Sequence, residues 1–170
     1  MNKKVKPVFW VLLGLAAFTG ICLLAYALFS GEKEIPENVT LMNAYENVKN
    51  DEYVKQISVE ELEDLQNGIL LISSPACSHC QKAVPVLTEA AYEKKQIICY
   101  ASIDEMDDVT YYRLCDYLAE ICKDNDLDGL YTPMVVAIRD GEPIAMYLGT
   151  AEEKELKQIY FELFSLVRNV

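Results

Sequence analysis

Two cysteines separated by two residues, Cys77 and Cys80, are the side chains of this 170-residue chain that most directly indicate chemistry. They follow a buried apolar run and precede a helical pattern, which places Cys77 at a helix N-terminus. The free N–H groups and the helix dipole at that position stabilise a thiolate, so we expect a lowered pKa for Cys77. Cys80, one turn further on, can attack a mixed disulfide at Cys77. The spacing predicts thiol–disulfide exchange, with Cys77 as nucleophile and Cys80 as resolving thiol.

His79 lies between the two cysteines and is the only histidine in the sequence. Its imidazole can donate a hydrogen bond or lend positive charge to the Cys77 thiolate, which stabilises the reduced form and makes the couple more oxidising. A zinc site is one alternative, but it would need a fourth ligand from far away in the chain. A purely structural disulfide is another. For the redox use we expect no metal and no dissociable cofactor, because the electrons reside in the cysteine pair.

The elements that must position this motif follow from the apolar pattern. Residues 69–72 form a continuous apolar run that predicts a strand buried on both faces. Residues 81–95 are helical in character, with a kink at Pro85, and residues 96–102 predict a second buried strand. Asp107 or Asp108 can cap the next helix. The apolar stripe predicted for that helix consists of Val109, Tyr112, Cys115, Leu118, Ala119 and Cys122.

Three further cysteines are predicted to pack as small apolar side chains. Seven residues of continuous helix would separate the Cα atoms of Cys115 and Cys122 by ~10.5 Å. That exceeds the ~7 Å that a disulfide can span. A bond between Cys99 and one of the two helical cysteines stays open as an alternative.

The flanking segments predict the rest of a layered domain. Residues 53–57 alternate as a half-buried strand, and Ser58 with Glu61 matches the capping box that opens a helix. Asn67-Gly68 is predicted to end this helix. Residues 134–138 and 143–148 predict two strands joined by a tight hairpin at Asp140-Gly141.

Thr150 with Glu153 predicts a capping box for a final helix. The inward face of that helix is predicted to contain Leu156, Tyr160, Leu163 and Val167. Together these elements predict an α/β three-layer sandwich, with a mixed central sheet and helices on both faces.

From residue 53 to residue 170 the chain resembles the thioredoxin family. The residues that carry this resemblance are Cys77-Ser78-His79-Cys80, Pro85, Gly129 ahead of Thr132-Pro133, Asp140-Gly141 and Gly149. The resemblance implies a thioredoxin-like fold, thiol–disulfide oxidoreductase activity and a cis bond between Thr132 and Pro133 beside the sulfurs. Thr132 and Pro133 would then bind substrate, with the Thr132 backbone presented to a substrate chain.

The chain departs from the reducing thioredoxins at three places. Ser78-His79 replaces their Gly-Pro, Leu71 stands where they have a buried acid that assists proton transfer, and Ala76 replaces the usual tryptophan. His79 and Leu71 indicate a relatively oxidising pair. In overall plan the chain looks like the bacteriocin transport accessory proteins and related exported thioredoxin-like proteins of Gram-positive bacteria.

The N-terminal region predicts a membrane anchor. Residues 8–29 carry no charge and would make a helix of roughly 33 Å, enough to cross a bilayer. Three lysines precede this stretch and acidic residues follow it, so the positive-inside rule places the N-terminus in the cytoplasm and the rest outside. We therefore predict a cytoplasmic segment 1–7, a transmembrane anchor 8–29, a linker 30–52 and the thioredoxin-like domain 53–170. The alternatives are a cleavable signal peptide ending at 25–27 and, more weakly, a lipoprotein anchor at Cys22.

The net charge of the chain limits the classes of partner that it can bind. The net charge is −12, and from residue 31 onward 27 acidic residues face 12 basic ones. Such an acidic body repels phosphate backbones, which excludes nucleic acid as a partner. We expect exported proteins or peptides as clients, and a membrane or extracytoplasmic redox partner that recycles the cysteine pair. The competing hypothesis is a non-enzymatic accessory subunit of a peptide export system, in which the cysteines are structural.

Overall fold

A five-stranded sheet forms the centre of the part of the chain that the computed structural model describes, residues 44–149 and 151–167. The strands are β1 (Val54–Gln56), β2 (Asn67–Ser73), β3 (Ile98–Ser102), β4 (Met134–Arg139) and β5 (Glu142–Leu148). They lie in the order β1-β3-β2-β4-β5. Strands β1, β3 and β2 are parallel, whereas β4 runs antiparallel to both β2 and β5. The sheet is therefore mixed, as predicted.

Five α-helices cover the two faces of this sheet within the described residues. They are α1 (Val59–Glu63), α2 (Ser78–Lys94), α3 (Asp108–Tyr117), α4 (Ala119–Asp124) and α5 (Glu153–Leu166). Side chains of β2 alternate between two cores, because successive strand residues point to opposite faces. Leu71 packs with residues of α2 and α5, and Leu70 packs with residues of α1, α3 and α4. The predicted three-layer α/β sandwich, with a mixed central sheet and helices on both faces, is confirmed.

Most of the predicted local signals are present. Ser58 and Glu61 form a reciprocal capping box at the start of α1, and the Asp107 carboxylate caps α3 through the N–H of Thr110 at 2.7 Å. Asp140 and Gly141 have positive φ angles of 55° and 84°, as a tight two-residue hairpin between β4 and β5 requires. The register between these strands is therefore set by the hairpin.

The helical region after Asp107 differs from the prediction in two respects. It is interrupted at Leu118, so α3 and α4 are separate helices rather than one. The predicted apolar stripe is also wrong at Val109 and Tyr112, which are 67% and 66% exposed, and at Ala119, which is exposed as well. The face that enters the core instead carries Leu114 and Ile121 together with Leu118. The spacing of these three residues is as compatible with one face of a helix as the spacing of the predicted stripe. Packing against the sheet decides which of the two faces is buried.

Two predicted boundaries are also corrected. Asn67-Gly68 was expected to end the first helix, but α1 ends at Glu63 and both residues belong to β2. The final helix was expected to be capped by Thr150, whereas its N-cap is Glu152, without a side-chain capping bond. The inward face predicted for that helix is confirmed, since Leu156, Tyr160, Leu163 and Val167 are all buried.

Part of the predicted linker packs against the domain. Tyr45 and Val48, inside the segment 30–52, are 3% and 7% exposed and belong to the core shared with α2 and α5. The packed body thus includes residues that precede the predicted domain start at residue 53. The segments 1–7 and 8–29 lie outside the described residues. Among the residues that are described, no helix is long and apolar enough to span a membrane.

Candidate active site

Cys77 occupies the N-cap position of α2, where the sequence places the nucleophile. Its backbone is extended, and its Sγ accepts a hydrogen bond from the backbone N–H of Cys80 at 3.4 Å. The N-terminal N–H groups of a helix have no partner within the helix, so they are available to a thiolate at this position. Cys77 is half-buried, whereas Cys80 is completely buried. The two thiols therefore differ in accessibility, in the order predicted for an attacking and a resolving cysteine.

The loop between α4 and β4 forms the other side of the site. The peptide bond between Thr132 and Pro133 is cis, as the resemblance implies. The Cys77 thiol donates a hydrogen bond to the Thr132 carbonyl oxygen at 3.4 Å. The fold thus brings four predicted site residues together, namely Cys77, Cys80, Thr132 and Pro133.

The two thiols have opposite pKa shifts. Burial alone would raise the pKa of Cys77, but hydrogen bonds from the side chains of Thr132 and Cys80, and from the backbone N–H groups of Cys80 and His79, outweigh it and hold this pKa below its ordinary value. Burial raises the pKa of Cys80 to about 12. At neutral pH Cys77 is thus the thiol that more readily supplies a thiolate, which is the reactive form of cysteine.

His79 lies on the first turn of α2 with an exposed side chain. Its imidazole lines a cavity of about 700 Å³, together with Lys82 and Gly149. The contact that joins His79 to the Cys77 sulfur is made by its backbone N–H. Tuning of the thiolate by the imidazole stays a prediction.

The loop that leads into Cys77 is held by contacts that sequence reasoning missed. The hydroxyl of Ser74 donates to the Asp104 carboxylate at 2.7 Å and accepts from the N–H of Ala76 at 3.1 Å. The N–H of Cys77 donates to the Ser74 carbonyl at 3.1 Å. Ser74 therefore fixes the tight approach to the nucleophile. A serine before a proline carries no distinctive signal, and its partner Asp104 is thirty residues away.

Gln81 joins that loop to the N-terminal segment. Its amide group donates to the carbonyl of Pro75 at 2.7 Å, and its amide oxygen accepts from the N–H of Glu46 at 3.0 Å. Next to this bridge, the hydroxyls of Tyr45 and Ser73 share a hydrogen bond of 2.5 Å. Residues 44–46 are thereby fastened to the end of β2 and to the loop before Cys77. This attachment of residues 44–46 could not be predicted, because these residues show no periodic pattern.

Two buried tyrosines lie in the same core as Cys80 and Leu71. Tyr45 is one, and its hydroxyl is 3.4 Å from that of Tyr100. Tyr160 is the other, and its buried hydroxyl has no hydrogen-bond partner among the described residues. Burial raises the pKa of both tyrosines, so both are neutral hydroxyls. Leu71, at the position of the missing acid, is fully buried in this core.

The other described cysteines lie away from this site and are free thiols. Cys99 and Cys122 are buried and Cys115 is partly exposed, all in the core formed with α1, α3 and α4. Burial raises the pKa of Cys99 to about 11, as expected for a packed thiol. In the part of the chain that is described, no group of three or more His, Cys, Asp or Glu side chains is placed to hold a metal ion.

No family model and no curated protein matches the chain. Among solved structures, the chain is similar to thioredoxin from Aeropyrum pernix, with 21% identity and a TM-score of 0.44 over 63% of this chain and 84% of that one. It is similar to thioredoxin 2 from Pseudomonas aeruginosa, with 17% identity and a TM-score of 0.43 over 72% and 95%. For oxidised thioredoxin from Plasmodium falciparum the identity is 16% and the TM-score 0.42, over 64% and 96%. These neighbours are thioredoxins, the class that the chain's own motifs resemble.

Proposed function

We propose that this protein is a thiol–disulfide oxidoreductase that exchanges disulfides through Cys77 and Cys80. The observation that carries the proposal is the arrangement of the pair. A half-buried thiol of lowered pKa caps α2, and a fully buried thiol lies one turn behind it. Both face the loop that contains Thr132 and Pro133. A disulfide with a purely structural role needs neither an accessible thiolate nor an asymmetric pair.

Reduction of a client disulfide takes two exchange steps. The Cys77 thiolate attacks one client sulfur, the client S–S bond breaks, and the released client thiolate takes up a proton. Cys80 then loses its proton and attacks the Cys77 sulfur, which breaks the mixed disulfide and releases the second client thiol. Two electrons pass from the cysteine pair to the client, and the pair becomes a disulfide. The reverse sequence oxidises a client dithiol.

We further propose that the domain works outside the cytoplasm. Residues 8–29 would anchor it, and exported proteins or peptides would be its clients. This part rests on the uncharged stretch and its flanking charges, and on the oxidising conditions that allow disulfides outside the cytoplasm. A membrane or extracytoplasmic redox partner would recycle the pair. No cofactor is required, because the cysteines themselves carry the electrons.

Labelling of intact cells tests the location together with the reactivity of the pair. Cells that express the full chain are treated with a membrane-impermeant maleimide after an impermeant reductant. We expect label on Cys77, and a strongly reduced signal in a Cys77→Ser chain, because Cys80 is buried. Cys115→Ser, which removes another partly exposed thiol, is the matched control. Label that appears only after lysis would contradict an extracytoplasmic domain.

A further inference from the structure

Large apolar side chains are exposed at the edge of the sheet that carries Cys77. Val109 and Tyr112 on the first turns of α3 are 67% and 66% exposed, and Tyr131 in the loop before Thr132 is 45% exposed. We call these three side chains the tyrosine face. Large exposed apolar side chains that lie close together on a folded domain favour contact with a partner, and tyrosine is enriched where proteins contact one another.

The tyrosine face adjoins the nucleophile. Tyr131 directly precedes Thr132, whose carbonyl accepts from the Cys77 thiol at 3.4 Å. Tyr111 connects this loop to α3, because its ring centroid is 5.7 Å from that of Tyr112 and its hydroxyl is 3.6 Å from the position of a Cβ at Gly129. A chain that presents its sulfur to Cys77 can therefore extend over both tyrosines of the face.

The hydrogen bond from the Ser74 hydroxyl to the Asp104 carboxylate also places the start of α3 near the cysteine motif. It ties the loop before Cys77 to the turn that precedes α3, at 2.7 Å. The parallel strands β2 and β3 thus end at the same edge of the sheet, with the cysteine motif after one and the start of α3 after the other.

Acidic side chains predominate around this face, and Arg113, which follows Tyr112, is paired with Glu63 at 2.7 Å. Residues 103–112 contain four acidic side chains and residues 124–131 contain three, and neither stretch contains a lysine or an arginine. The hydroxyl of Tyr131 donates to the Asp128 carboxylate at 2.6 Å, so at least one of these charges directly adjoins the face. Lysine and arginine side chains can pair with carboxylates and also lie over tyrosine rings.

We propose that the tyrosine face is a docking surface for basic, unfolded polypeptide clients whose cysteine is flanked by lysine or arginine. This inference rests on the proposed function, since it names the client class of the same site. The cationic side chains of the client lie against the carboxylates and the rings, while its sulfur faces Cys77. Opposite charge also increases the rate of encounter between client and domain.

Paired peptides test the proposal on the full chain in membranes. Each peptide holds one disulfide in the same apolar context, and the cysteine is flanked by lysines in one peptide and by glutamates in the other. Oxidised glutathione is the third substrate and reports exchange without docking. We expect kcat/KM for the lysine peptide to exceed that for the glutamate peptide by about tenfold or more, the low end of electrostatic steering. We also expect this preference to shrink at ~1 M salt, where the Debye length is about 3 Å.

Substitutions test whether the preference for the lysine peptide arises at the tyrosine face. In Asp108→Asn/Asp128→Asn, which removes two exposed carboxylates beside the tyrosine face, the ratio of the two peptide rates should fall toward one, whereas in Glu155→Gln/Glu162→Gln it should stay as in the parent chain. Glu155 and Glu162 are exposed as well but lie on α5, which packs against the opposite face of the sheet. A parent chain without preference for the lysine peptide, or an Asp108→Asn/Asp128→Asn variant that keeps the preference, would overturn the docking proposal while glutathione exchange continued. Failure to exchange even with glutathione would instead overturn the proposed function.

Discussion

Cys80→Ser should convert the protein into a covalent trap for its clients. Without the resolving thiol, the mixed disulfide that Cys77 forms has no intramolecular attacker, so it accumulates. Cys77→Ser should form no mixed disulfide, and its exchange rate should fall by a factor on the order of a thousand or more, as when other nucleophiles are removed. Intact-mass measurement of the chain after reaction with a disulfide peptide checks both expectations.

The control for these variants is Cys115→Ser, because Cys115 is partly exposed like Cys77 but lies in the other core. Its exchange rate should match that of the parent chain. If Cys115→Ser lost exchange as fully as Cys77→Ser, the assignment of the nucleophile would be wrong. If Cys80→Ser released its client as fast as the parent chain, the role of Cys80 would be wrong.

The pH dependence of alkylation tests the direction in which folding changes the pKa of each thiol. Because the pKa of Cys77 is lowered, its thiolate fraction, and with it the alkylation rate, should reach half-maximum at a lower pH in the folded reduced protein than in the urea-unfolded chain. Cys80, with a pKa raised to about 12, should show the opposite shift. Equal midpoints for Cys77 in the folded and unfolded chains would contradict the site geometry.

Gly149→Ala should destabilise the domain and disturb the site together. A Cβ at Gly149 would lie 2.7 Å from Cγ of Pro133, 3.0 Å from Cβ of Ala83 and 3.1 Å from the hydroxyl oxygen of Tyr160. Neither the proline ring nor the helix backbone at Ala83 can move away cheaply. We expect a loss of about 1–3 kcal/mol in the free energy of unfolding, the usual cost of overpacking. A fall in exchange rate should accompany it, because Pro133 follows Thr132, whose carbonyl accepts a hydrogen bond from the Cys77 thiol.

Gly129→Ala is the matched substitution for this prediction. A Cβ at Gly129 would meet only the Tyr111 hydroxyl, at an ordinary distance of 3.6 Å. Its unfolding midpoint in urea should lie close to that of the parent chain, and well above that of Gly149→Ala. Equal midpoints for the two alanine variants would show that the packing behind Pro133 is looser than the structure indicates.

The elements that depend on local chemistry could be predicted from the sequence. The apolar run in β2, the position of Cys77 before a helix and the Asp140-Gly141 hairpin each depend on neighbouring residues or on a required backbone conformation. The thioredoxin-like order of these elements then placed Thr132 and Pro133 near the sulfurs. That placement needed the family pattern, because the loop lies fifty-five residues from Cys77.

The buried face of α3 could not be predicted in the same way. Apolar residues occur on two sides of that helix, and a tyrosine can lie at a surface as well as in a core, because its ring is apolar and its hydroxyl is polar. Val109 and Tyr112 therefore fitted the pattern of a core stripe, although the buried residue of that helix is Leu114. The contacts of Tyr45 with Ser73 and of Gln81 with Glu46 join residues that are far apart in the chain, so no local sequence pattern could predict them.

The reduction potential of the Cys77–Cys80 pair tests the central claim most directly. The full chain is equilibrated with thiol–disulfide buffers of graded potential, and the oxidised fraction of the pair is read by alkylation and mass. We expect a reversible two-electron transition at a potential above about −300 mV, the upper bound typical of structural disulfides. A transition below that value, or no disulfide between these two cysteines at any potential, would contradict a redox-active pair.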